Sequence, residues 1–297
     1  MPRSATSSSE PAGKYLMFKN VAIAAHPHLA EARPEAEKIA ALLKVYGASS
    51  VCGLLYDQEL LDGLNAKAFD LWIALGGDGT MLRSGQVCGP AGVPVLGINM
   101  GRLGFLMGLQ REEWPEQLPR LFEGRFWLEP RMMLQATHQR GVQQLGEWQV
   151  LNEAIVSRGD VVRPVQLETS LDGSYLTTYH ADGLIAATPT GSTAYALAAG
   201  GPILPPELRN FLIVPVAPHF SFSSAIVLAE ETVVSIRVRT VHEAALSLDG
   251  QWTFPVENDD VVVVRAGRDT VHFVRLQEPD YFYKNLTSKM NANLVTE

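Results

Sequence analysis

A parallel α/β sheet in the first part of the chain, followed by a β-rich second part, is the fold this sequence predicts. Buried-strand runs alternate with helical patterns up to about residue 128, and β-branched alternation takes over beyond Glu129. The length of 297 residues, with 46% hydrophobic residues, leaves room for two ordinary domains that each bury a core.

The first strand is predicted at Val21 to Ala25, an apolar run that ends before Pro27. A helix follows, with Ala36, Ile39, Ala40, Leu42, Leu43 and Tyr46 at helical spacing. Leu71 to Leu75 is apolar and leads into glycines, Thr80 to Gly85 can begin a helix, and Val93 to Ile98 reads as another buried strand after Pro90. Further strands are predicted at Gln149 to Ser157, Gln166 to Leu171, Val233 to Arg239, Val261 to Arg265 and Val271 to Leu276, mainly antiparallel. The expected division is a disordered start over 1–16, an α/β domain over 17–128, a β-rich domain over 129–276 and a tail over 277–297 that packs back on the first domain or frays.

Composition narrows the function classes. The 24 basic and 32 acidic residues give a net charge of -8, and no Lys/Arg run could neutralise successive phosphates, so nucleic acid and anionic membrane are poor partners. Cys52 and Cys88 form no CxxC pair and join no Cys/His cluster, which argues against a disulfide framework or a structural zinc site. The Ser-rich start lacks the apolar core of a secretory signal, and no uncharged apolar stretch reaches eighteen residues, so a soluble cytoplasmic protein is expected.

The first constellation with chemical content is Gly76-Gly77-Asp78-Gly79-Thr80. A glycine turn directly after a buried strand exposes backbone N–H groups, and the following helix start adds partial positive charge suited to phosphate. Asp78 is the ionised side chain of that turn, available as a general base or hydroxyl-orienting group, or as a plain helix cap. Walker A is absent, and the Rossmann pattern fails where Leu82 replaces its third glycine. The second is Asp182-Gly183 with Thr188-Pro189-Thr190-Gly191-Ser192-Thr193-Ala194-Tyr195 and Gly200-Gly201-Pro202. Its hydroxyls suit a ribose or phosphate, and equally suit a turn and an N-cap. Asn152-Glu153 could bind an adenine edge or ribose hydroxyls, or occupy an exposed edge, and Asp249-Gly250-Gln251 is first of all a hairpin turn. Among seven histidines, His180 stands out two positions before Asp182, while Trp72 and Phe105 read as core or pocket wall.

In order, Gly76 to Thr80, Gly97-Ile98-Asn99 with Gly101 to Leu106, Leu151-Asn152-Glu153, the Asp182 to Pro202 block and Asp249 to Gln251 resemble the motif set of the NAD kinases. The resemblance runs from about Val21 to Leu276 and is most specific over Thr188 to Tyr195. It implies transfer of a phosphoryl group from ATP, or another donor such as polyphosphate, to the adenosine-ribose 2′-hydroxyl of NAD, with the dinucleotide between the two domains. By position, Asp78 would activate the hydroxyl, Gly79 and Phe105 would border the dinucleotide, and Asn152 and Glu153 would bind one end. Asp182, Thr190, Thr193, Ala194 and Tyr195 would bind adenine and neighbouring groups; Gly77, Thr80, Arg83, Asn99, His180 and Gln251 complete the candidate set.

Mg²⁺ or another divalent metal would arrive on the ATP, without a dedicated protein cage. A homodimer or homotetramer is implied by the resemblance alone. Two departures stand out: His180 replaces the family's usual Arg or Gly and leaves NAD against NADH open, and Pro218-His219 is followed by Ser223-Ser224-Ala225-Ile226-Val227 without the family's Arg. Two alternatives remain. A diacylglycerol- or sphingosine-type lipid kinase shares the glycine turn but should carry an amphipathic basic segment. A non-catalytic dinucleotide sensor would have no use for a carboxylate beside a phosphate.

Overall fold

The computed structural model describes residues 18–101, 104–159, 163–219, 222–284 and 286. The Ser-rich start, Arg102 and Leu103 of the Gly101 to Leu106 motif, and the end of the tail from 287 lie outside the described residues.

The chain opens β1 (Asn20–Ala25), α1 (Ala32–Val45), β2 (Ser49–Leu54), α2 (Gln58–Asn65), β3 (Leu71–Gly76), α3 (Asp78–Ala91) and β4 (Val95–Asn99). β1 to β4 are mutually parallel in the order β4-β3-β1-β2, and β3, Leu-Trp-Ile-Ala-Leu-Gly, is buried along its whole length. A central parallel strand is covered on both faces, which is why it reads as a continuous apolar run rather than an alternation. α1 covers one face through Ala36, Ile39 and Leu43. α3 covers the other through Met81, Leu82 and Cys88, which pack with Leu151, Val271 and Phe273 from the second half of the chain. Pro90 does not end α3; the helix runs to Ala91 and closes on Gly92 in the left-handed conformation.

Short β5 (Leu109–Gln110), α4 (Trp114–Gln117) and α5 (Pro119–Phe122) lead to the long hairpin of β6 (Trp127–Arg140) and β7 (Gln143–Val150). β8 (Glu153–Arg158), β9 (Val165–Leu171), β10 (Ser174–Ala181), β11 (Gly183–Ala187), a 3₁₀ turn at Gly191–Thr193 and α6 (Tyr195–Ala198) follow. Then come β12 (Phe211–Val216), β13 (Ile226–Leu228), β14 (Val234–Arg239), β15 (Ala244–Leu248), β16 (Trp252–Val256) and β17 (Val261–Arg275). β14 shows the alternation of a one-sided strand, with Val234, Ile236 and Val238 buried and Arg239 exposed.

Two sheets result. One has eleven strands in the order β10-β9-β14-β17-β4-β3-β1-β2, with β5, β6 and β7 attached at β4 and β17; the other has six in the order β13-β12-β11-β8-β15-β16. β17 is the splice: it pairs antiparallel with β6 and β14, and at Phe273 parallel with β4. The parallel and antiparallel parts of the chain therefore share one sheet. Three expected strands are corrected. Val261 to Arg265 and Val271 to Leu276 belong to a single β17, whose register shifts between Ala266 and Thr270. Gln149 to Ser157 is not one strand but the end of β7 and the start of β8, which lie in different sheets. The core between the sheets includes Leu134, Leu167, Tyr179, Leu184, Ile213 and Leu246.

Candidate active site

Asp78 occupies the first turn of α3, directly after the fully buried β3, so the turn is held by the sheet on one side and the helix on the other. Thr80 and Met81 donate their N–H groups to Gly77 O at 2.9 and 3.1 Å. The Asp78 carboxylate accepts the backbone N–H of Phe105 at 2.7 Å and of Leu106 at 3.0 Å, one on each oxygen. Each oxygen has two lone pairs, so one per oxygen remains for a substrate hydroxyl. Gly104 is required here, because a Cβ at that position would run into the Asp78 carboxylate.

Beside the turn, Arg83 lies half-buried over the Tyr56 ring, 5.7 Å from its centroid. His26, whose N–H bonds Leu75 O at 2.9 Å, is lowered from its ordinary value, first by partial burial and then by the charges of His28 and Arg83. Arg83 thus places positive charge near the C-terminal ends of the parallel strands, where open α/β sheets bind ligands, beside a His26 held toward its neutral form.

The second sheet presents one of its ends to the same place. The register pairs Glu153 of β8 with Ala187 at the end of β11, and Ala154 with Leu248 at the end of β15. The connections leaving these three strands carry Asn152, Thr188 and Asp249. The buried Asp249 carboxylate accepts the N–H groups of Leu151 (2.9 Å), Asn152 (2.7 Å) and Glu153 (3.0 Å), together with the side-chain amide of Gln86 from α3. This grip ends β7 and turns the chain into β8. Thr188 adds a second grip: its hydroxyl donates to Leu151 O at 2.6 Å and accepts Gly191 N–H at 3.0 Å, and its N–H donates to Asn152 O at 2.9 Å. Gly191 rests so close to Asn152 that a Cβ would overlap its backbone.

Glu153 is buried beside Asp249, and burial first, then the Asp249 charge, raises its carboxyl to about 8. At neutral pH it keeps its proton and can donate as well as accept. Burial pushes Asp249 up as well, against the hydrogen bonds that favour its charged form.

The predicted residues divide into three groups. Gly77, Asp78, Gly79, Arg83 and Phe105 gather at the α3 start, and Asn152, Glu153, Thr190, Thr193, Ala194, Tyr195 and Gln251 at the second sheet's end. Asp78 and Gln86 are eight residues apart on α3, so the two groups are separated by about 12 Å along the helix. Asp182 and His180 form the third group. They lie where β10 turns into β11, at the other end of β11 from Thr188 and about 20 Å from it within the chain by the rise of a strand. There Asp182 pairs with Arg158 at 3.0 Å, and the His180 carbonyl accepts the N–H of His219 at 2.7 Å.

Several candidates hold loops from inside. Thr80 is buried beneath Gly76, and Asn99 spends its amide on Gly101 O (2.8 Å) and Gln110 (2.9 Å). The Thr190 hydroxyl accepts from Arg131 at 3.1 Å. Tyr195 is nearly half exposed, and the Gln251 amide nitrogen is a buried donor with no acceptor among the described residues. The sequence reading missed Gln86, Glu129, Arg131 and Arg275. A usable signal existed for the β6 pair, since Glu129 and Arg131, two apart in a strand, place two charges on one face.

A phosphate-friendly turn with an oriented carboxylate, facing hydroxyl and amide loops across a two-sheet α/β frame, defines a nucleotide-dependent phosphotransferase. Residues 18–126 match the family profile of the ATP-NAD kinase N-terminal domain, and residues 151–276 that of the ATP-NAD kinase C-terminal domain. The chain belongs to the NAD kinase family. Its relatives include the NAD kinase of Chloroflexus aggregans, 42% identical over 75% of this chain and 81% of that protein. Another is the NAD kinase of Dehalococcoides mccartyi strain BAV1, 34% identical over 93% of this chain and 98% of that protein.

Among solved structures, an NAD kinase from Archaeoglobus fulgidus in complex with ATP superposes with a TM-score of 0.72 at 25% identity, covering 92% of this chain and 99% of that one. Yeast NADH kinase complexed with NADH shares the fold, with a TM-score of 0.81 at 23% identity and coverage of 98% and 94%. Family membership leaves the lipid-kinase and sensor alternatives without support. Among the described residues, no helix is long and apolar enough to cross a membrane.

Proposed function

We propose that the chain converts NAD to NADP by moving the γ-phosphoryl group of ATP to the 2′-hydroxyl of the adenosine ribose, with Asp78 as the hydroxyl-activating group. The observation that carries this role is the Asp78 carboxylate at the start of α3, aimed by the Phe105 and Leu106 amides and left with a lone pair on each oxygen. Phosphoryl transfer asks the protein mainly for alignment and charge neutralisation.

Gly77 and Gly79 let phosphate approach the helix start, where the backbone dipoles favour negative charge. Arg83 adds side-chain positive charge for the donor, and His26, held toward its neutral form, offers a hydrogen-bonding ring beside it. Asn152, protonated Glu153 and Gln251, together with the Thr190 to Tyr195 loop, hold the dinucleotide about 12 Å away along α3, a separation that suits two parts of one ligand. A divalent cation travelling with the triphosphate would neutralise its charge there.

The test is a coupled assay of the purified chain with Mg-ATP and NAD, reading NADP, with NADH as a parallel acceptor and polyphosphate as a parallel donor. Asp78→Asn is expected to bind NAD but to turn over about 10² to 10⁴ times more slowly; near-normal turnover of a folded Asp78→Asn protein would remove Asp78 from this role. The relationship to the family also supports a homodimer or homotetramer, which sedimentation velocity checks directly.

A further inference from the structure

A charged cluster lies wholly inside the protein and touches both groups of the site. Glu129 (2% exposed) and Arg131 (3%) project from the same face of β6, and Arg275 (0%) from the end of β17. Arg131 Nη2 donates to Glu129 Oε2 at 2.9 Å, and Arg275 Nε donates to the same oxygen at 2.7 Å. The Tyr281 hydroxyl closes the cluster from the C-terminal segment, donating to Glu129 Oε1 at 2.8 Å while accepting from Arg131 at 3.1 Å. Both guanidinium groups stand 5.2 Å from the centroid of Phe273. Two cations share one carboxylate.

Each guanidinium then sends one arm outward, to a different loop. Arg131 Nη1 donates to the Thr190 hydroxyl at 3.1 Å. Arg275 Nη1 donates to the carbonyl of Leu106 at 2.9 Å, the residue whose own N–H is bound by Asp78 at 3.0 Å. Leu106 is thus gripped from both sides, by Asp78 through its N–H and by Arg275 through its carbonyl.

We propose that Glu129, Arg131, Arg275 and Tyr281 form a positioning relay that sets the Asp78 loop and the Thr190 loop at a fixed distance, so that the ribose hydroxyl held by one meets the carboxylate held by the other. The proposal rests on the reading of Asp78 and Thr190 given above. Stability alone does not account for the cluster, because buried ion pairs can usually be replaced by apolar side chains of similar volume without loss. Apolar side chains could fill the same volume, but they would release the Leu106 carbonyl and the Thr190 hydroxyl.

The two arms separate the kinetic constants. Arg131→Lys keeps the charge but loses the fork; it is expected to raise KM for NAD about tenfold with kcat within about twofold, the size of one charge-assisted hydrogen bond. Arg275→Lys is expected to lower kcat about tenfold with KM for NAD within about twofold. Tyr281→Phe, the mildest change, should shift both constants in the same directions by less.

Should Arg275→Lys fail to fold, the cycle of Arg131→Lys, Thr190→Val and their double variant decides. The relay requires the double variant to match the worse single one in KM; additive effects overturn it. Folded Arg131→Lys and Arg275→Lys proteins that lose thermal stability but keep both constants also overturn it. Asp78→Asn, measured in parallel, separates the two levels: an active Asp78→Asn protein sinks the site reading together with the relay. An inactive one beside an Arg275→Lys protein with unchanged kcat sinks the relay alone.

Discussion

Gln86 of α3 donates its side-chain amide to the carboxylate of Asp249, a residue 163 positions later in the turn between β15 and β16. The same carboxylate holds the N–H groups of Leu151, Asn152 and Glu153, so the helix that begins with Asp78 is tied directly to the loop that begins β8. One buried acid aligns the two sides of the site.

Asp249→Ala should therefore remove the acceptor of three backbone donors at once. An unpaired buried donor costs roughly 1 to 3 kcal/mol, so a loss of about 3 kcal/mol or more in unfolding free energy is expected, with a raised KM for NAD. Gln86→Ala should cost about 1 kcal/mol, because the backbone grip remains. Urea titrations give both values, and an Asp249→Ala protein within about 1 kcal/mol of the parent would show that the loop keeps its shape without the carboxylate.

The pH dependence of stability carries the signature of Glu153. Its carboxyl stands near 8 in the folded chain, against an ordinary value of 4.5. Between those values the folded state holds a proton that the unfolded chain has released, so this contribution is complete below about pH 4.5 and falls as pH rises through about 8. Glu153→Gln should flatten the melting-temperature profile over that window and leave the protein more stable than the parent at its alkaline end. A slope unchanged by the substitution would assign the decline to other groups.

Glu129 supplies the opposite sign. Burial pushes its carboxyl up, but the charges of Arg275 and Arg131 and the Arg131 and Tyr281 hydrogen bonds overcome that and bring it to about 2. Its contribution is fully present above about pH 4.5 and fades as pH falls toward 2. Glu129→Gln is expected to cost about 3 to 5 kcal/mol at neutral pH, because two buried guanidinium groups lose their counter-charge. The deficit relative to the parent should shrink in acid; a constant deficit at all pH values would mean that the carboxylate charge contributes nothing.

These relationships mark the boundary of what the sequence reveals. β3 and β14 were legible because burial on two faces, or on one, leaves a local trace in Leu71 to Gly76 and Val234 to Arg239. Asp78 was legible for the same reason, as an acid in a glycine turn after such a strand. The break at Leu151 and Asn152 was not, because apolar residues continue across it and the force that bends the chain comes from Asp249, 96 to 98 positions away. Arg131 carried a partial signal in Glu129 two positions before it, but not of Thr190, 59 positions distant. Arg275 was missed because its partner Leu106 is 169 positions away and a lone arginine in a strand carries no mark of what it will hold.

Two glycines offer the cleanest separation of the catalytic loop from the dinucleotide loop, since the nearest neighbours of an added methyl group belong to a single residue at each. A methyl group at Gly104 would enter the space of the Asp78 carboxylate, forcing the acid or the Phe105–Leu106 amides to move. A methyl group at Gly191 would instead press on the backbone of Asn152. Gly104→Ala is expected to lower kcat by about 10² while leaving KM for NAD nearly unchanged, because misplacing a catalytic group by about 1 Å costs that much. Gly191→Ala is expected to raise KM for NAD with a smaller effect on kcat, since it disturbs the ground-state contacts of the dinucleotide. Steady-state kinetics on the two proteins provide the comparison. If Gly104→Ala changes only KM, or Gly191→Ala only kcat, the roles given to the Asp78 and Asn152 loops are reversed.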